Sequence, residues 1–264
     1  MSQTGFTGNL PASGCWINLF EPAIGELVGQ CGYDCALLDM EHSPESLPRL
    51  LPMVRAVQYG GALAIVRAPD RDPAWLGRLM DMGADGAMIP MVESAEMASR
   101  LAAAAVYAPK GTRGMAAGIV RASGYGTNAD YIAGARGRFL LLMQVETRAG
   151  VAAVDEIATT EGIDCLFTGP FDLAGSLGHC GEPDHADTRA AVDSVVDAAV
   201  RARLPVATLP SPLRTGPSLR EDGFDLVFSG SDISLLRNAM SADAKQQRAA
   251  HHRFTENAVV AADQ

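Results

Sequence analysis

Short apolar runs alternate along the chain with longer stretches whose apolar residues recur at helical spacing. The runs read as strands at Cys15–Leu19, Cys35–Leu38, Ala62–Arg67, Gly86–Ile89, Phe139–Val145, Cys165–Thr168, Pro205–Leu209 and Leu226–Phe228. The helical stretches fall near Pro22–Cys31, Ser46–Gln58, Pro73–Met82, Ala95–Ala105, Val151–Thr160, Thr188–Arg203, Leu213–Asp222 and Ile233–Ala250. A helix after each strand implies parallel pairing through crossovers. Eight such units in 264 residues suit a closed (β/α)8 TIM barrel, a fold that ordinarily fills about 250 residues. An open doubly wound sheet is the alternative. Residues 1–264 then form a single barrel domain, with 1–12 and 251–264 as peripheral tails.

Two segments break the alternation. Tyr107–Tyr131 and Gly175–Asp187 are Gly-rich and weakly periodic. Long connections in a compact domain are usually functional or mobile. Both follow even-numbered strands, which places them on the rim where barrel enzymes keep their sites. The last helix is longer than one barrel needs and ends in polar "KQQRAAHHRFTEN". Part of it therefore packs on a neighbouring subunit or frays.

Composition narrows the function. Hydrophobic residues make up 48% and charged residues 20%, which allows a large core and excludes a disordered chain. A net charge of −10 with scattered basic residues argues against nucleic acid, since nothing would release phosphate counterions. The cysteines, Cys15, Cys31, Cys35, Cys165 and Cys180, show no CxxC spacing, so a thiolate zinc site is not expected and free thiols in a reducing cytoplasm are. No secretory signal and no apolar run of membrane-spanning length is visible.

Candidate chemistry sits at the strand ends. They carry Asp39, Glu41 and His42; Arg67; Gln144, Glu146 and Arg148; and Asp172. In a barrel these converge on one rim. Gln144 and Glu146 lie two apart and so share a side of their strand, and the barrel interior suits them better than the apolar helix layer. Two carboxylates, Glu146 and Asp172, in one pocket repel unless a cation lies between them. An oxygen-lined pair suits Mg2+ or Mn2+. The residues alone leave open a metal-free ion pair of Glu146 with Arg67 or Arg148. Arg67 reads either as a fork for an anionic oxygen or as a salt bridge closing the mouth. Asp172 reads as a ligand or as a helix cap after Gly169 and Pro170. His179, His185, His251 and His252 read as solvated. The two lysines, Lys110 and Lys245, lie on no expected strand, so imine chemistry inside the barrel is not expected. No dinucleotide, P-loop or nucleophile-elbow motif occurs.

Seven stretches in order, "GYDCALLDMEHSPES", "VRAPDRD", "LMDMGADGAMIPMVESAEMA", "YAPKGTRG", "MQVETRAGV", "IDCLFTGPFDLAGSLG" and "FSGSDISLLRNAM", resemble the HpcH/HpaI aldolases, metal-dependent pyruvate aldolases of class II. The resemblance runs from about Gly14 to Met240. It implies that Glu146 and Asp172 hold a divalent ion (Mg2+, Mn2+ or Co2+) and that Gln144 touches substrate beside it. It implies that Arg67 stabilises enolate charge and that His42 is the base, working through water. Asp81 is then the acid that raises the basicity of His42, although its place near the end of its helix leaves open a short, bent helix, a neighbouring subunit's copy, or Asp39 instead. Phe171 stands where the family usually has a smaller residue, and its backbone amide is implied to hold the 2-oxo acid's carboxylate. The implied reaction cleaves a 4-hydroxy-2-oxo acid to pyruvate and an aldehyde. The implied assembly is a hexamer with exchanged C-terminal helices. Oxaloacetate decarboxylation, acyl-CoA ester lysis, a metal-free isomerase and a non-catalytic 2-oxo-acid-binding barrel are the alternatives.

Overall fold

The structure, a computed structural model, describes residues 5–262. Eight parallel strands close in sequence order into a barrel. They are β1 Ser13–Ile17, β2 Cys35–Asp39, β3 Leu63–Arg67, β4 Gly86–Ile89, β5 Leu140–Val145, β6 Cys165–Thr168, β7 Val206–Thr208 and β8 Leu226–Ser231. The helices are α1 Pro22–Gln30, α2 Leu47–Gly60, α3 Ala74–Met82, α4 Ala95–Ala104, α5 Tyr131–Gly134, α6 Arg148–Ala152, α7 Val154–Ala158, α8 Pro170–Leu177, α9 Ala186–Ala202, α10 Gly216–Glu221 and α11 Asp232–Ala262. The chain is thus a (β/α)8 barrel, as its alternating pattern implies. No helix among the described residues is long and apolar enough to cross a membrane.

Strand parity divides the core. Cys35, Leu37, Ile65, Met88, Leu142 and Phe167 fill the interior, while Ala36, Leu38, Val66, Ala87, Met143 and Leu166 pack under the helices. Burying each large apolar side chain contributes about 1.5–3 kcal/mol. Trp16, Phe167 and Phe228 occupy the middle of the interior, their ring centroids 5.7–6.0 Å apart. Phe6 and Leu10 pack against this interior cluster from the N-terminal side. These two residues bring part of the N-terminal segment against the barrel floor.

The floor is laced by four aspartates, each preceding an even strand. Asp34 accepts the Ser13 amide at 2.8 Å, Asp85 that of Ala64 at 2.8 Å, Asp164 that of Leu141 at 2.7 Å, and Asp225 that of Val206 at 3.0 Å. Each stands two residues after a glycine with positive φ, namely Gly32, Gly83, Gly162 and Gly223. Gly32, Gly83 and Gly223 end the preceding helices in a left-handed turn open to a residue without Cβ, and Gly162 takes the same conformation in the turn after α7.

Some expected bounds move. β1 stops at Ile17 because the amides of Asn18 and Leu19 turn to the Asp232 carboxylate, at 3.1 and 2.9 Å. The expected helix Val151–Thr160 is two short helices, α6 and α7, parted at Ala153. The helix expected to open after Gly169 and Pro170 runs over Pro170–Leu177 and starts at Pro170 itself, whose missing N–H costs nothing there.

One placement is overturned. Tyr107–Tyr131 does not lie on the catalytic rim. It follows α4, which has already carried the chain back, so it lies at the opposite rim. There Arg121 donates to the carbonyl of Met82 at 2.9 Å and to Gln58 Oε1 at 2.8 Å, and Gln58 donates to Asp85 at the foot of β4 at 2.9 Å. The second Gly-rich segment, around Gly178–His185, joins α8 to α9 and lies on the catalytic rim.

Candidate active site

The polar layer at the C-terminal rim follows from the parity that fills the interior. Asp39 comes two residues after Leu37, Arg67 two after Ile65, and Gln144 two after Leu142. All three are buried, as is Glu146. β2 and β3 pair with Asp39 opposite Arg67. The guanidinium forks onto the carboxylate, Nε to Oδ1 at 2.9 Å and Nη2 to Oδ2 at 2.7 Å. Its remaining nitrogen, Nη1, meets Glu41 at 2.8 Å. Below, Arg67 stacks over the Trp16 ring at 4.6 Å. Asp39 is further held by Trp16 Nε1 at 3.2 Å and Asn18 Nδ2 at 2.9 Å. The Arg67 fork keeps its carboxyl ionised below the usual range against the cost of burial. Burial holds the Glu41 carboxyl above its usual value, opposed by Arg67.

Across the mouth, Glu146 Oε1 accepts the Met91 amide at 2.8 Å, and Oε2 accepts from Gln144 Nε2. Met91 holds φ at +54°, an uncommon conformation for a side-chain-bearing residue that often marks functional sites. Here it aims the amide at the carboxylate. Glu146 makes no ion pair with Arg67 or Arg148. Arg148 donates instead to the Leu177 carbonyl at 3.3 Å. Burial, with Asp172 and Glu41 nearby, pushes the Glu146 carboxyl up to about 7.

Gly169 locates the convergence. A Cβ built there would lie 3.5 Å from Glu146 Oε2, 3.6 Å from Asp172 Oδ2 and 3.7 Å from Gln144 Nε2. A side chain would fill this cradle, and glycine leaves it open. Gln144 Oε1 is buried there without a partner. Orphaned polar atoms of this kind call for a ligand or ion. Two carboxylates and one neutral amide oxygen form a hard donor set, which fits Mg2+ or Mn2+. The residues present therefore fit a divalent ion.

The other expected site residues are distributed as follows. His42 is on the same rim with its side chain 63% exposed, and Glu41 Oε2 is 3.9 Å from its Nε2. Asp39 reaches the His42 backbone amide at 3.2 Å but spends its oxygens on Arg67, Trp16 and Asn18. Phe171 is exposed in the first turn of α8, beside Asp172. Asp81 is not brought to this rim. It ends α3 at the opposite side, where Arg113 Nη2 donates to its Oδ1 at 2.6 Å and to the Tyr131 hydroxyl at 2.8 Å. Within one chain, Asp81 and His42 are thus separated. Sequence reasoning missed Trp16, Asn18 and Met91. The first two show only as polar-compatible positions ending β1, and Met91 only as the residue after Ile89-Pro90.

Comparison with known proteins fits this geometry. The HpcH/HpaI aldolase/citrate lyase family matches residues 12–239. A hydroxypyruvate/pyruvate aldolase of Chromohalobacter salexigens is 38% identical over 86% of this chain and 89% of its own length. A 5-keto-4-deoxy-D-glucarate aldolase of Shigella boydii is 36% identical over 86% and 88%. Among solved structures, an HpcH/HpaI aldolase/citrate lyase family protein from Burkholderia cenocepacia superposes with a TM-score of 0.87 at 33% identity, covering 94% of this chain and 98% of that one.

Proposed function

The chain belongs to the HpcH/HpaI aldolase/citrate lyase family and is a carbon–carbon lyase, and from that premise we propose that it is a divalent-metal aldolase of 4-hydroxy-2-oxo acids, releasing pyruvate and an aldehyde. The observation that carries this reading is the convergence of Glu146, Asp172 and Gln144 on the open space at Gly169.

Glu146 and Asp172 would hold the ion, whose Lewis acidity polarises the 2-oxo acid when it is bound. The Phe171 amide, in the first turn of α8, faces the substrate carboxylate with the positive end of the helix behind it. His42, exposed and loosely held, takes the proton of the 4-hydroxyl. The C3–C4 bond then breaks and its electron pair passes to the pyruvate fragment as an enolate, leaving the aldehyde. Arg67 supplies positive charge toward the enolate oxygen. Its fork on Asp39 and its seat on Trp16 fix it before charge develops, so no reorganisation is needed at that moment. Asp81, anchored by Arg113 at the opposite rim, would act on His42 only from a second copy of the chain. The five free cysteines are in keeping with a cytoplasmic enzyme.

Pyruvate release is measured over a panel of 4-hydroxy-2-oxo acids with Mg2+, Mn2+ or Co2+. Cleavage should require the added ion, and Glu146→Ala, Asp172→Ala and His42→Ala should each lose most of it. Full activity in excess EDTA sinks the metal assignment.

A further inference from the structure

On the α8–α9 connection, three side chains bring ligand-type atoms together with no task in the reaction. The geometry points to a second metal site there, formed by His179, His185 and Asp187 and suited to a borderline divalent transition metal such as Zn2+ or Ni2+. His179 Nε2 lies 2.9 Å from Asp187 Oδ2, and His185 Nδ1 lies 3.8 Å from that same oxygen. One ligand atom from each residue falls within 4.8 Å of the others, and among the described residues no other group of three His, Cys, Asp or Glu does so. Four ligands bonded to zinc at about 2.0–2.1 Å stand roughly 3.3 Å apart. The observed spacings straddle that value, so closing the site takes side-chain rotation rather than a rebuilt loop.

The frame around these atoms is already fixed. The His179 amide donates to the Ala174 carbonyl at 2.8 Å, which ties it to the end of α8. Asp184 accepts from Ser211 Oγ and from the Leu213 amide. The two imidazoles stack with centroids 3.4 Å apart and planes within 18°, so both ring edges stand beside one carboxylate. His185 Nδ1 accepts the Asp187 amide at 3.2 Å, capping α9. An ion at that nitrogen takes over this lone pair, which sets a moderate affinity rather than an extreme one. The Cys180 sulfur is not among the gathered atoms, leaving the fourth position to water or an outside ligand.

The donor set distinguishes this site from the catalytic one. Glu146 and Asp172 offer carboxylate oxygens, which suit Mg2+ and Mn2+. Two imidazoles with one carboxylate favour Zn2+, Ni2+ or Cu2+ and discriminate against Mg2+. The chain would therefore carry two ions of different chemistry on one rim, joined through α8, which bears Asp172 at its start.

The test uses Zn2+ in competition with a chromogenic chelator, on the full chain bearing Glu146→Gln and Asp172→Asn. Removing the catalytic carboxylates makes the result independent of the aldolase reading. One Zn2+ per chain should bind at micromolar concentration and resist a hundredfold excess of Mg2+. Adding His179→Gln or Asp187→Asn should weaken it at least tenfold, with thermal unfolding showing each variant folded. Wild-type protein saturated with Mg2+ gives the same comparison if the double variant does not fold. Zinc binding unchanged by both loop substitutions, or no stoichiometric zinc in either background, overturns the proposal.

Discussion

Glu146 is a carboxyl group whose setting has been made hostile to its own charge. It is buried beside Asp172 and Glu41, and two hydrogen bonds only partly offset the burial. Its folded-state value of about 7 lies above the ordinary 4.5, so the ion-free folded chain holds a proton that the unfolded chain releases. Relative to Glu146→Gln, the wild type in EDTA should lose stability as pH rises from about 4.5 to about 7. The gap should then stay level above that window. At about 1.4 kcal/mol per unit the full change is on the order of 3 kcal/mol, read from denaturation midpoints at several pH values. Saturating Mg2+ should remove the dependence near neutrality. Arg67 makes a second residue-scale case. Lysine keeps the charge but cannot fork onto Asp39 while also reaching Glu41. Arg67→Lys should lower kcat/KM by about 10²–10³, with the loss mainly in kcat. The interior placement of Gln144 and Glu146 was legible from their spacing of two along a strand. Met91 was not, because its contribution is a backbone amide aimed by a positive φ, and neither leaves a chemical signature in a one-letter code.

Among the elements, the eight alternations specified the barrel because each strand is a bounded apolar run and each helix keeps its own period. The breaks were harder to read. Ala153 divides α6 from α7 with no proline or glycine of its own, and the full length of the helix at Pro170 hides behind the turn signal of Gly169-Pro170. Tyr107–Tyr131 was assigned to the wrong rim by counting from the last strand, when α4 stands between. One regularity was in plain view and went unread: Gly32-Tyr33-Asp34, Gly83-Ala84-Asp85, Gly162-Ile163-Asp164 and Gly223-Phe224-Asp225. Each glycine makes a left-handed turn and each aspartate takes a main-chain N–H at the foot of the neighbouring odd strand. Removing such an acceptor leaves a donor unsatisfied at the barrel floor, at a cost of about 1–3 kcal/mol. Asp85→Ala should lower the urea midpoint accordingly. Because Asp85 is at the rim opposite the site, specific activity of the folded fraction should be unchanged.

At the scale of the whole molecule, α11 carries uncovered apolar residues along its described side chains. It is rooted by Asp232, yet Ile233, Leu235, Leu236 and Met240 remain exposed along it. Such a face is suited to a second copy of the chain, which would also be the source of an Asp81 for His42. Sedimentation velocity should show an oligomer, and Leu236→Asp with Met240→Asp should shift it to smaller species. A wild-type monomer at micromolar concentration would remove that reading. The barrel interior carries a different consequence. Trp16, Phe167 and Phe228 fill it beneath Arg67, and Phe6 and Leu10 pack from the other end. The site is a vessel with one mouth. A molecule cut in two within it cannot release its halves from opposite ends, so the fragment nearer solvent departs first and the deeper one last. In the joining direction the order inverts: the inner partner must be seated before the outer one arrives, and an outer partner that comes early only blocks the door.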